Sequence, residues 1–383
     1  MKFYKNKRKA IDKKFDYAFI FLEILSAEGG IQSYVKDIWR AYLASDSPLA
    51  AVFLLRDAPE SDNQFAGANL QFDYFKSRSP MWGRIDLSAA LLKFLWQQRP
   101  DRVFCGHINL APLIRAICQQ LSIPYTILTY GKEVWEPLPQ KYQKALNQAS
   151  SIWTISRYSR DMLCASNGID PKQVQLLPCC VDGNVFTPGP KPKGLIDRYG
   201  LEDAKVLMTV ARLWSGDIYK GVDVTIRALP AIAKVFPNVK YLVIGRGDDR
   251  PRLAQLAQDL GVSDRVIFAG FVPTADLPAH YRVADAYIMP SQEGFGIVYL
   301  EAMASGIPVL SGDADGSADP LQDGRLGWRV PHRDPDAVAD ACIEILKGED
   351  KRCDGQWLRQ ECLAHFGRDA LTEQLKKLLK DNY

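Results

Sequence analysis

Short apolar runs alternate with helix-length segments along nearly all of the 383 residues. The runs are almost continuously apolar, which is typical of strands buried on both faces of a parallel sheet. Their alternation with helical segments predicts an α/β fold with helices on both faces of each sheet. The predicted strands cover residues 17–24, 51–55, 102–105, 125–129, 152–155, 175–177, 206–210, 241–244, 266–269, 286–289 and 309–310, and the predicted helices include 31–44, 89–98, 110–121 and 356–380.

Length and one proline-rich segment divide the chain. A chain of 383 residues exceeds what one hydrophobic core usually serves. Residues 187–194 contain three prolines and two glycines, a composition that disfavours helix and strand alike. We therefore predict two doubly wound, Rossmann-like domains facing a cleft, residues 1–188 and 189–360, with a C-terminal helix in residues 361–383. Ligands of this architecture bind at the carboxyl ends of the strands.

The composition argues against several classes of protein. Lys and Arg total 48 against 45 Asp and Glu, and the net charge of +3 is too slight to indicate a nucleic-acid-binding protein. The eight cysteines follow no disulfide framework, and reduced thiols suit a cytoplasmic location. None of the four histidines has the spacing of a structural zinc site, so we expect no structural metal.

The N-terminus is strongly basic, with seven Lys and Arg among the first fourteen residues. The apolar run that follows, residues 18–25, is interrupted by Glu23 and falls far short of the roughly 20 residues that a membrane span needs. Two interpretations of the basic arm stay open. It is either a solvated tail or an electrostatic contact with anionic lipid, which would hold the protein peripherally at the inner face of a membrane.

The strongest functional signal follows the predicted strand 286–289. Gly294 and Gly296 allow a ligand to approach the backbone, and the helix that begins near Gly296 presents free N–H groups to an anion. Glu301 lies one turn into this helix, where a carboxylate can accept both hydroxyls of a ribose. Glu293 precedes the helix and is aimed into the cleft. The alternative is a capped helix with two solvated glutamates.

A second signal follows the strand 206–210. Lys220 precedes the helix entered at Gly221, and a cation at a helix N-terminus opposes the helix dipole by up to about 1 kcal/mol. Helix stability therefore does not explain Lys220. An anion bound between Arg212, Lys220 and the helix N-termini would supply the missing partner, and a diphosphate fits that cluster. The alternative for Lys220 is an ordinary solvated lysine.

These segments together resemble the retaining, nucleotide-sugar-dependent glycosyltransferases of family 4, which have the two-domain GT-B fold. The resemblance spans essentially the whole chain, and its most specific part is the E-x7-E spacing from Glu293 to Glu301. It also rests on the Arg212 and Lys220-Gly221 segment, the turn Gly29-Gly30-Ile-Gln-Ser-Tyr-Val, and the segments Thr154-Ile-Ser156-Arg-Tyr-Ser, Ile244-Gly-Arg-Gly247 and Phe268-Ala-Gly270-Phe-Val.

The resemblance implies a role for each matched residue. Arg212 and Lys220 would hold the diphosphate and Glu301 the ribose. Glu293 would hold the sugar, and the C-terminal helix would return to the first domain. The remaining implied contacts are backbone ones: Phe295, Gly296 and Ile297 to the sugar, Gly30 to the phosphate from the N-terminal side, and Gly270, Phe271 and Val272 to the base.

The chain departs from the family pattern after its fourth predicted strand. Members of the family commonly carry a histidine there, facing the transferred sugar, whereas this chain has Tyr130. His107, at the end of the preceding strand, is either a substrate contact or a structural histidine. The pair Asp313 and Asp315 resembles a metal-binding Asp-x-Asp, but we interpret it as a loop, because enzymes of this fold generally bind the donor without a metal.

The sequence thus predicts a retaining glycosyltransferase with Arg212, Lys220 and Glu293 as catalytic residues. Cations beside the departing diphosphate would lower the barrier. It would move a hexose from GDP-mannose or UDP-glucose to a hydroxyl of a saccharide or lipid-linked saccharide, without cofactor or metal. The competing hypothesis is a non-catalytic nucleotide-sugar sensor or partner subunit that keeps the donor pocket. A dinucleotide-dependent oxidoreductase is disfavoured because no G-x-G-x-x-G opens a helix after a strand.

Overall fold

The computed structural model describes residues 14–59, 61–67 and 69–380, and it builds two parallel β-sheets. The first sheet has seven strands in the order β3-β2-β1-β4-β5-β6-β7 and the second has six in the order β10-β9-β8-β11-β12-β13. The strands are β1 Tyr17–Phe21, β2 Ala50–Leu54, β3 Leu70–Tyr74, β4 Arg102–Cys105, β5 Tyr125–Leu128, β6 Ser151–Thr154, β7 Val174–Leu176, β8 Lys205–Val210, β9 Val239–Ile244, β10 Val266–Gly270, β11 Ala286–Met289, β12 Val309–Gly312 and β13 Trp328–Val330.

The strand order of each sheet reverses once, between β1 and β4 and again between β8 and β11. At such a point successive crossovers leave on opposite faces of the sheet and open a crevice at the carboxyl ends of the strands. The helices are α1 Gly30–Ala44, α2 Pro80–Gln98, α3 Ala111–Leu121, α4 Gln140–Asn147, α5 Arg157–Asn167, α6 Lys193–Tyr199, α7 Val222–Val235, α8 Arg250–Asp259, α9 Leu277–Tyr281, α10 Ile297–Ala304, α11 Pro335–Lys347, α12 Gly355–Phe366 and α13 Arg368–Lys380.

The prediction of two doubly wound α/β halves is confirmed, and the reason lies in the burial of the strands. Every residue of β2, β4, β5, β6, β11 and β12 is buried, as helices on both faces require. Two strands were absent from the prediction. β3 alternates buried and exposed residues at the edge of its sheet, and β13 has only three residues, so neither carries a continuous apolar run.

The C-terminal segment connects the two halves. The predicted helical region 356–380 is broken at Gly367 into α12 and α13, and Gly367 forms a parallel bridge with Val181. α12 packs against α10 of the second half, whereas α13 packs against α1 of the first. One hydrophobic cluster accordingly runs from Trp39 on α1 through Leu375 on α13 to Tyr299 on α10.

The domain boundaries at residues 188 and 360 stay predictions. Residues 187–192 contain no helix or strand and lie between β7 and α6. Residues 1–13 lie outside the described part of the chain, and so does the predicted lipid contact of the basic arm. Within the described residues, no helix combines the length and apolar character that crossing a bilayer requires.

Candidate functional site

A cavity of about 720 Å³ opens between the two sheets at the carboxyl ends of their strands. Segments that follow β1, β5, β8 and β11 line it, so it is built from both halves. The structure brings nine of the predicted site residues together on its wall: Gly30, Tyr130, Arg212, Lys220, Glu293, Gly294, Phe295, Gly296 and Ile297. His107, Gly270, Phe271, Val272 and Glu301 are not among its lining residues.

The loop before α10 forms the floor of the cavity and touches the first half. A Cβ atom on Gly294 would lie 3.1 Å from the carbonyl oxygen of Tyr130, so only glycine fits without displacing one backbone from the other. The Gly294 carbonyl accepts a hydrogen bond of 2.6 Å from the Ser156 hydroxyl. Gly296 then takes the left-handed conformation, with φ 92°, and α10 begins at Ile297. Gly296, Ile297 and Val298 at this helix start line the cavity, and the free N–H groups of a helix start can bind an anion.

Lys220 and Glu293 form an ion pair on the cavity wall, with both side chains mostly buried. Two backbone contacts bring them together: the Gln292 N–H donates to the Tyr219 carbonyl at 3.1 Å, and a Cβ atom on Gly221 would strike the Pro290 carbonyl. Burial has the largest single effect and acts to lower the pKa of Lys220, but the charge and hydrogen bond of Glu293 together with Tyr219 outweigh it, and the pKa is raised. Lys220 is therefore a cation at neutral pH, and Glu293 is its partner while the cavity is empty.

Arg212 stands at the carboxyl end of β8 with its side chain 58% exposed. Its Nε lies 3.1 Å from Oδ2 of Asp217, and its guanidinium lies 4.9 Å from the ring centre of Trp214. Asp217 belongs to the 3-10 turn Ser215–Lys220, which follows Arg212 in the chain. Arg212 and Lys220, at the end of this turn, line the same cavity.

The first half contributes a second helix N-terminus. α1 begins at Gly30, and residues 28–32 line the cavity opposite α10. The loop that leads to α1 is organised by Asp57, a fully buried carboxylate that accepts the N–H groups of Ile24, Leu25 and Ser26 at 2.7–3.0 Å. A Cβ atom on Gly30 would meet no protein atom within 4 Å, so the space in front of Gly30 is free for a ligand.

Tyr130 and His107 turn out to differ in their surroundings. The Tyr130 ring lines the cavity, but its hydroxyl points away and donates to the Gly106 carbonyl at 2.7 Å. His107 caps a short 3-10 turn, because its Nδ1 accepts the Asn109 N–H at 3.1 Å. Burial, with a smaller contribution from Arg56, lowers the pKa of His107. His107 is thus a neutral capping group, and its predicted contact with substrate stays untested.

Lys132 is a cavity residue that the sequence prediction did not single out. It follows Gly131 at the carboxyl end of β5, and its ammonium lies 3.2 Å from the ring centre of Tyr219 in the other half. Partial burial lowers its pKa, and so does the like charge of Lys220, while Glu293 opposes the shift. The signal in the sequence was a cation directly after a strand-end glycine. Lys132 is thus a third cation on the cavity wall, beside Arg212 and Lys220.

Glu301 and residues 270–272 do not line the cavity. The Glu301 carboxylate accepts a hydrogen bond of 2.7 Å from the Tyr281 hydroxyl. Burial raises the pKa of Glu301 to about 7, the Tyr281 hydrogen bond opposes the shift, and Asp37 adds to it. Gly270 ends β10, and the exposed Phe271 ring stacks 4.8 Å from the guanidinium of Arg246.

Asp315 holds the loop of Glu293 in place, a role the sequence did not reveal. Its carboxylate accepts the backbone N–H of Glu293 and, at 2.9 Å, that of Ser317, and it is almost fully buried. Burial raises the pKa of Asp315 to about 6. The neighbouring Gly316 N–H donates to the Glu293 carbonyl at 2.8 Å. Asp315 is thus a loop-forming residue, and the described residues contain no group of three or more His, Cys, Asp or Glu placed to hold a metal ion.

Comparison with known proteins identifies the relatives of this chain. The family model described as glycosyl transferases group 1 matches residues 204–348. A GDP-mannose-dependent alpha-(1-6)-phosphatidylinositol monomannoside mannosyltransferase of Mycobacterium tuberculosis is 33% identical over 66% of this chain and 68% of its own length. The enzyme of the same name from Mycolicibacterium smegmatis is 35% identical over 57% of this chain and 59% of its own length. A GDP-mannose-dependent monoacylated alpha-(1-6)-phosphatidylinositol monomannoside mannosyltransferase of Corynebacterium glutamicum is 28% identical over 92% of this chain and 94% of its own length.

Solved structures share the fold at lower identity. Anabaena Alr3699/HepE, crystallised with UDP, superposes with a TM-score of 0.77 at 20% identity, covering 95% of this chain and 99% of that one. WaaG, a glycosyltransferase involved in lipopolysaccharide biosynthesis, superposes with a TM-score of 0.62 at 18% identity, covering 96% of this chain and 100% of WaaG. These structures show the fold, and the mycobacterial relative that is 33% identical shows the family. The chain belongs to the group 1 glycosyltransferases, enzymes of the GT-B fold.

Proposed function

We propose that the protein is a retaining glycosyltransferase of family 4 that uses a nucleoside-diphosphate sugar as donor. It moves a hexose to a hydroxyl of a saccharide or lipid-linked saccharide. The observation that carries the proposal is one cavity with two helix N-termini, the cations Arg212 and Lys220, and the carboxylate of Glu293. Of the two donors that the sequence suggested, GDP-mannose is favoured over UDP-glucose, because the two mycobacterial relatives at 33% and 35% identity are GDP-mannose-dependent enzymes.

The donor diphosphate would lie between the two halves. Arg212 and Lys220 would neutralise its charge, and the N–H groups at the start of α10 would donate to its oxygens. Gly30 would allow a phosphate to approach α1 from the other side, since the space before it is free. Glu301 would accept the ribose hydroxyls, and the backbone of residues 270–272 would border the base.

Binding of the donor would rearrange the charges of the empty cavity. Lys220 is paired with Glu293 before the donor arrives, and the diphosphate would take Lys220 from that pair. The Glu293 carboxylate would then be free to accept hydroxyls of the transferred hexose. This exchange keeps each buried charge matched, which avoids the cost of an unpaired buried ion.

The chemical step would pair an oxocarbenium-like sugar with a diphosphate whose negative charge grows as it leaves. Fixed cations and helix N-termini lower such a barrier because they need no reorganisation in the transition state. A double displacement would require a nucleophilic carboxylate about 5 Å from an acid partner. The described carboxylates that line the cavity are Glu28 and Glu293, on opposite halves, and with the donor bound Glu293 would be engaged by the hydroxyls of the hexose. We therefore favour transfer on one face of the sugar, with the departing phosphate accepting the acceptor's proton.

We further propose that the reaction needs no metal ion and takes place in the cytoplasm. Arg212 and Lys220 would provide the positive charge that a metal provides elsewhere. All eight cysteines are free thiols, six of them buried, which suits a reducing compartment. Turnover in excess EDTA tests the first point: activity equal to that in magnesium buffer supports it, and loss that magnesium restores contradicts it.

The decisive experiment measures nucleotide release. A thermal-shift panel of nucleotide sugars identifies the donor, and release is then followed with saccharide and lipid-linked acceptors. We expect Lys220→Ala and Glu293→Ala to lose at least 100-fold in turnover, a loss typical of a single charge-stabilising group. Lys234→Ala, an exposed lysine near the end of α7, is the matched control and should retain full activity.

The same preparations distinguish the alternatives. Saturable donor binding with no release across the acceptor panel would show a nucleotide-sugar sensor instead of an enzyme. The anomeric configuration of the product, determined by NMR, tests retention. An inverted product would contradict transfer on one face of the sugar while leaving the glycosyltransferase activity intact.

A further inference from the structure

Helix α2 carries a row of large apolar side chains on its outer face. Met81, Trp82, Ile85, Leu92 and Trp96 expose 63%, 58%, 47%, 43% and 69% of their surface. They make up nearly half of the strongly exposed large hydrophobic residues in the described chain. Isolated exposed apolar residues are ordinary, but a contiguous group on one element indicates an interaction surface.

The spacing of these residues places them on a single face. At about 100° per residue, Met81, Trp82, Ile85, Leu92 and Trp96 fall within an arc of about 100°, in a stripe about 20 Å long. The exposed Ala89 lies in the same arc. We call these six residues the α2 stripe.

The stripe is turned by about 130° around the helix axis from the face that α2 packs against its own sheet. Leu87, Leu91 and Leu95 are fully buried there. α2 therefore carries two apolar faces, although a surface helix normally has one. The buried leucines account for folding, so the stripe has no role in the hydrophobic core.

Cations surround the stripe. Lys76 and Arg78 lie in the segment just before α2, and Arg84 and Lys93 lie on the helix itself. None of the four forms an ion pair with another described residue, and the opposing charge on the exposed part of α2 is Asp86. Lys76 and Arg84 also line a small recess with Arg56, next to the start of α2.

We propose that the α2 stripe docks the enzyme onto an anionic lipid bilayer. Tryptophans near both ends of a short apolar face, with cations at its flanks, match an interface that is apolar in depth and negatively charged at its surface. The same charges would repel a second copy of this face across a twofold contact. The inference goes beyond the proposed function, since docking requires no donor, and it assigns the membrane contact to a surface other than the N-terminal arm.

The position of α2 gives docking a consequence for the site. The recess next to α2 includes Glu23 and Arg56, which follow β1 and β2 at the carboxyl edge of the first sheet. The loop that starts at Glu23 leads to Gly29 and Gly30 on the cavity wall. A bilayer against the start of the α2 stripe, at Met81 and Trp82, would therefore lie at the carboxyl edge of the first sheet, the edge that carries the cavity.

The test is co-sedimentation of the full chain with vesicles, without donor. Vesicles of phosphatidylcholine alone are compared with vesicles in which about 30% of the lipid is phosphatidylglycerol, which is anionic. We expect binding to the anionic vesicles to fall at least tenfold in Trp82→Gln/Trp96→Gln and about 30-fold in Arg84→Gln/Lys93→Gln, since each cation near the surface contributes about fivefold. Val235→Gln replaces an apolar side chain that is about half exposed at the end of α7; it is the control and should bind normally.

Tryptophan fluorescence and the melting temperature provide two further readouts. Brominated lipid should quench tryptophan fluorescence of the parent chain, and the quenching should shrink in Trp82→Gln/Trp96→Gln. Because the mutated side chains are exposed, unchanged melting temperatures are expected and show that folding is intact.

Normal vesicle binding by both double variants, combined with its loss on deletion of residues 1–13, would overturn the proposal in favour of the N-terminal arm. A dimer in light scattering that Trp82→Gln/Trp96→Gln converts to a monomer, without vesicle binding by the parent, would overturn it in favour of self-association.

Discussion

Replacing Glu301 by Gln tests the ribose contact through its pH dependence. The pKa of Glu301 is raised to about 7 by burial, so the empty protein holds this carboxyl half protonated at neutral pH. Ribose hydroxyls donate to a carboxylate more strongly than to a protonated carboxyl group. We therefore expect donor affinity to rise with pH as Glu301 ionises.

The magnitude follows from the pKa. If the donor binds the ionised form, the apparent Kd is multiplied by the inverse of the ionised fraction, about 1.1 at pH 8, about 2 at pH 7 and about 11 at pH 6. Affinity should therefore weaken about tenfold from pH 8 to pH 6, equivalent to about 1.4 kcal/mol. Asp315, with a pKa of about 6, would add its own dependence mainly below that range.

The assay is calorimetric titration of the donor from pH 6 to pH 8. Glu301→Gln should bind more weakly than the parent at pH 8 and show a nearly flat profile. Tyr281→Phe removes the hydrogen bond that opposes the raised pKa, so its midpoint should move to higher pH. A parent profile as flat as that of Glu301→Gln, or a Tyr281→Phe midpoint displaced to lower pH, would refute the reasoning.

Three further variants test other parts of the site. Gly30→Ala should keep or slightly raise the melting temperature, because its Cβ meets no protein atom and alanine favours a helix. The same variant should weaken donor binding at least tenfold, and unchanged affinity would exclude a phosphate at α1. Lys132→Gln should lower kcat/KM with little change in stability, since Lys132 is exposed over Tyr219, and activity equal to the parent's would remove it from the cation cluster. Asp315→Asn puts an amide donor where the backbone N–H groups of Glu293 and Ser317 donate. It should destabilise the fold by about 1–3 kcal/mol and lower kcat. A stable variant of full activity would refute the role of Asp315 in positioning Glu293.

The alternation of strands and helices was predictable because it depends on local composition. Strands buried on both faces must be apolar throughout, and the eleven predicted segments correspond to strands in the structure. β3 and β13 escaped prediction because one is an amphipathic edge strand and the other has three residues. The break at Gly367 escaped it as well, since the bridge to Val181 joins residues far apart in sequence.

Sequence alone could identify the residues at strand ends, because parallel strands bring their carboxyl ends to one edge. That rule groups Arg212, Lys220 and Glu293 at one edge from the sequence alone. It could not reveal that Tyr130 turns its hydroxyl inward or that Lys132 reaches across to the other half. Those outcomes, like the hold of Asp315 on the Glu293 loop, depend on distances between side chains whose positions are set by packing of the whole chain, and short-range hydrogen bonds and charges change sharply over such distances.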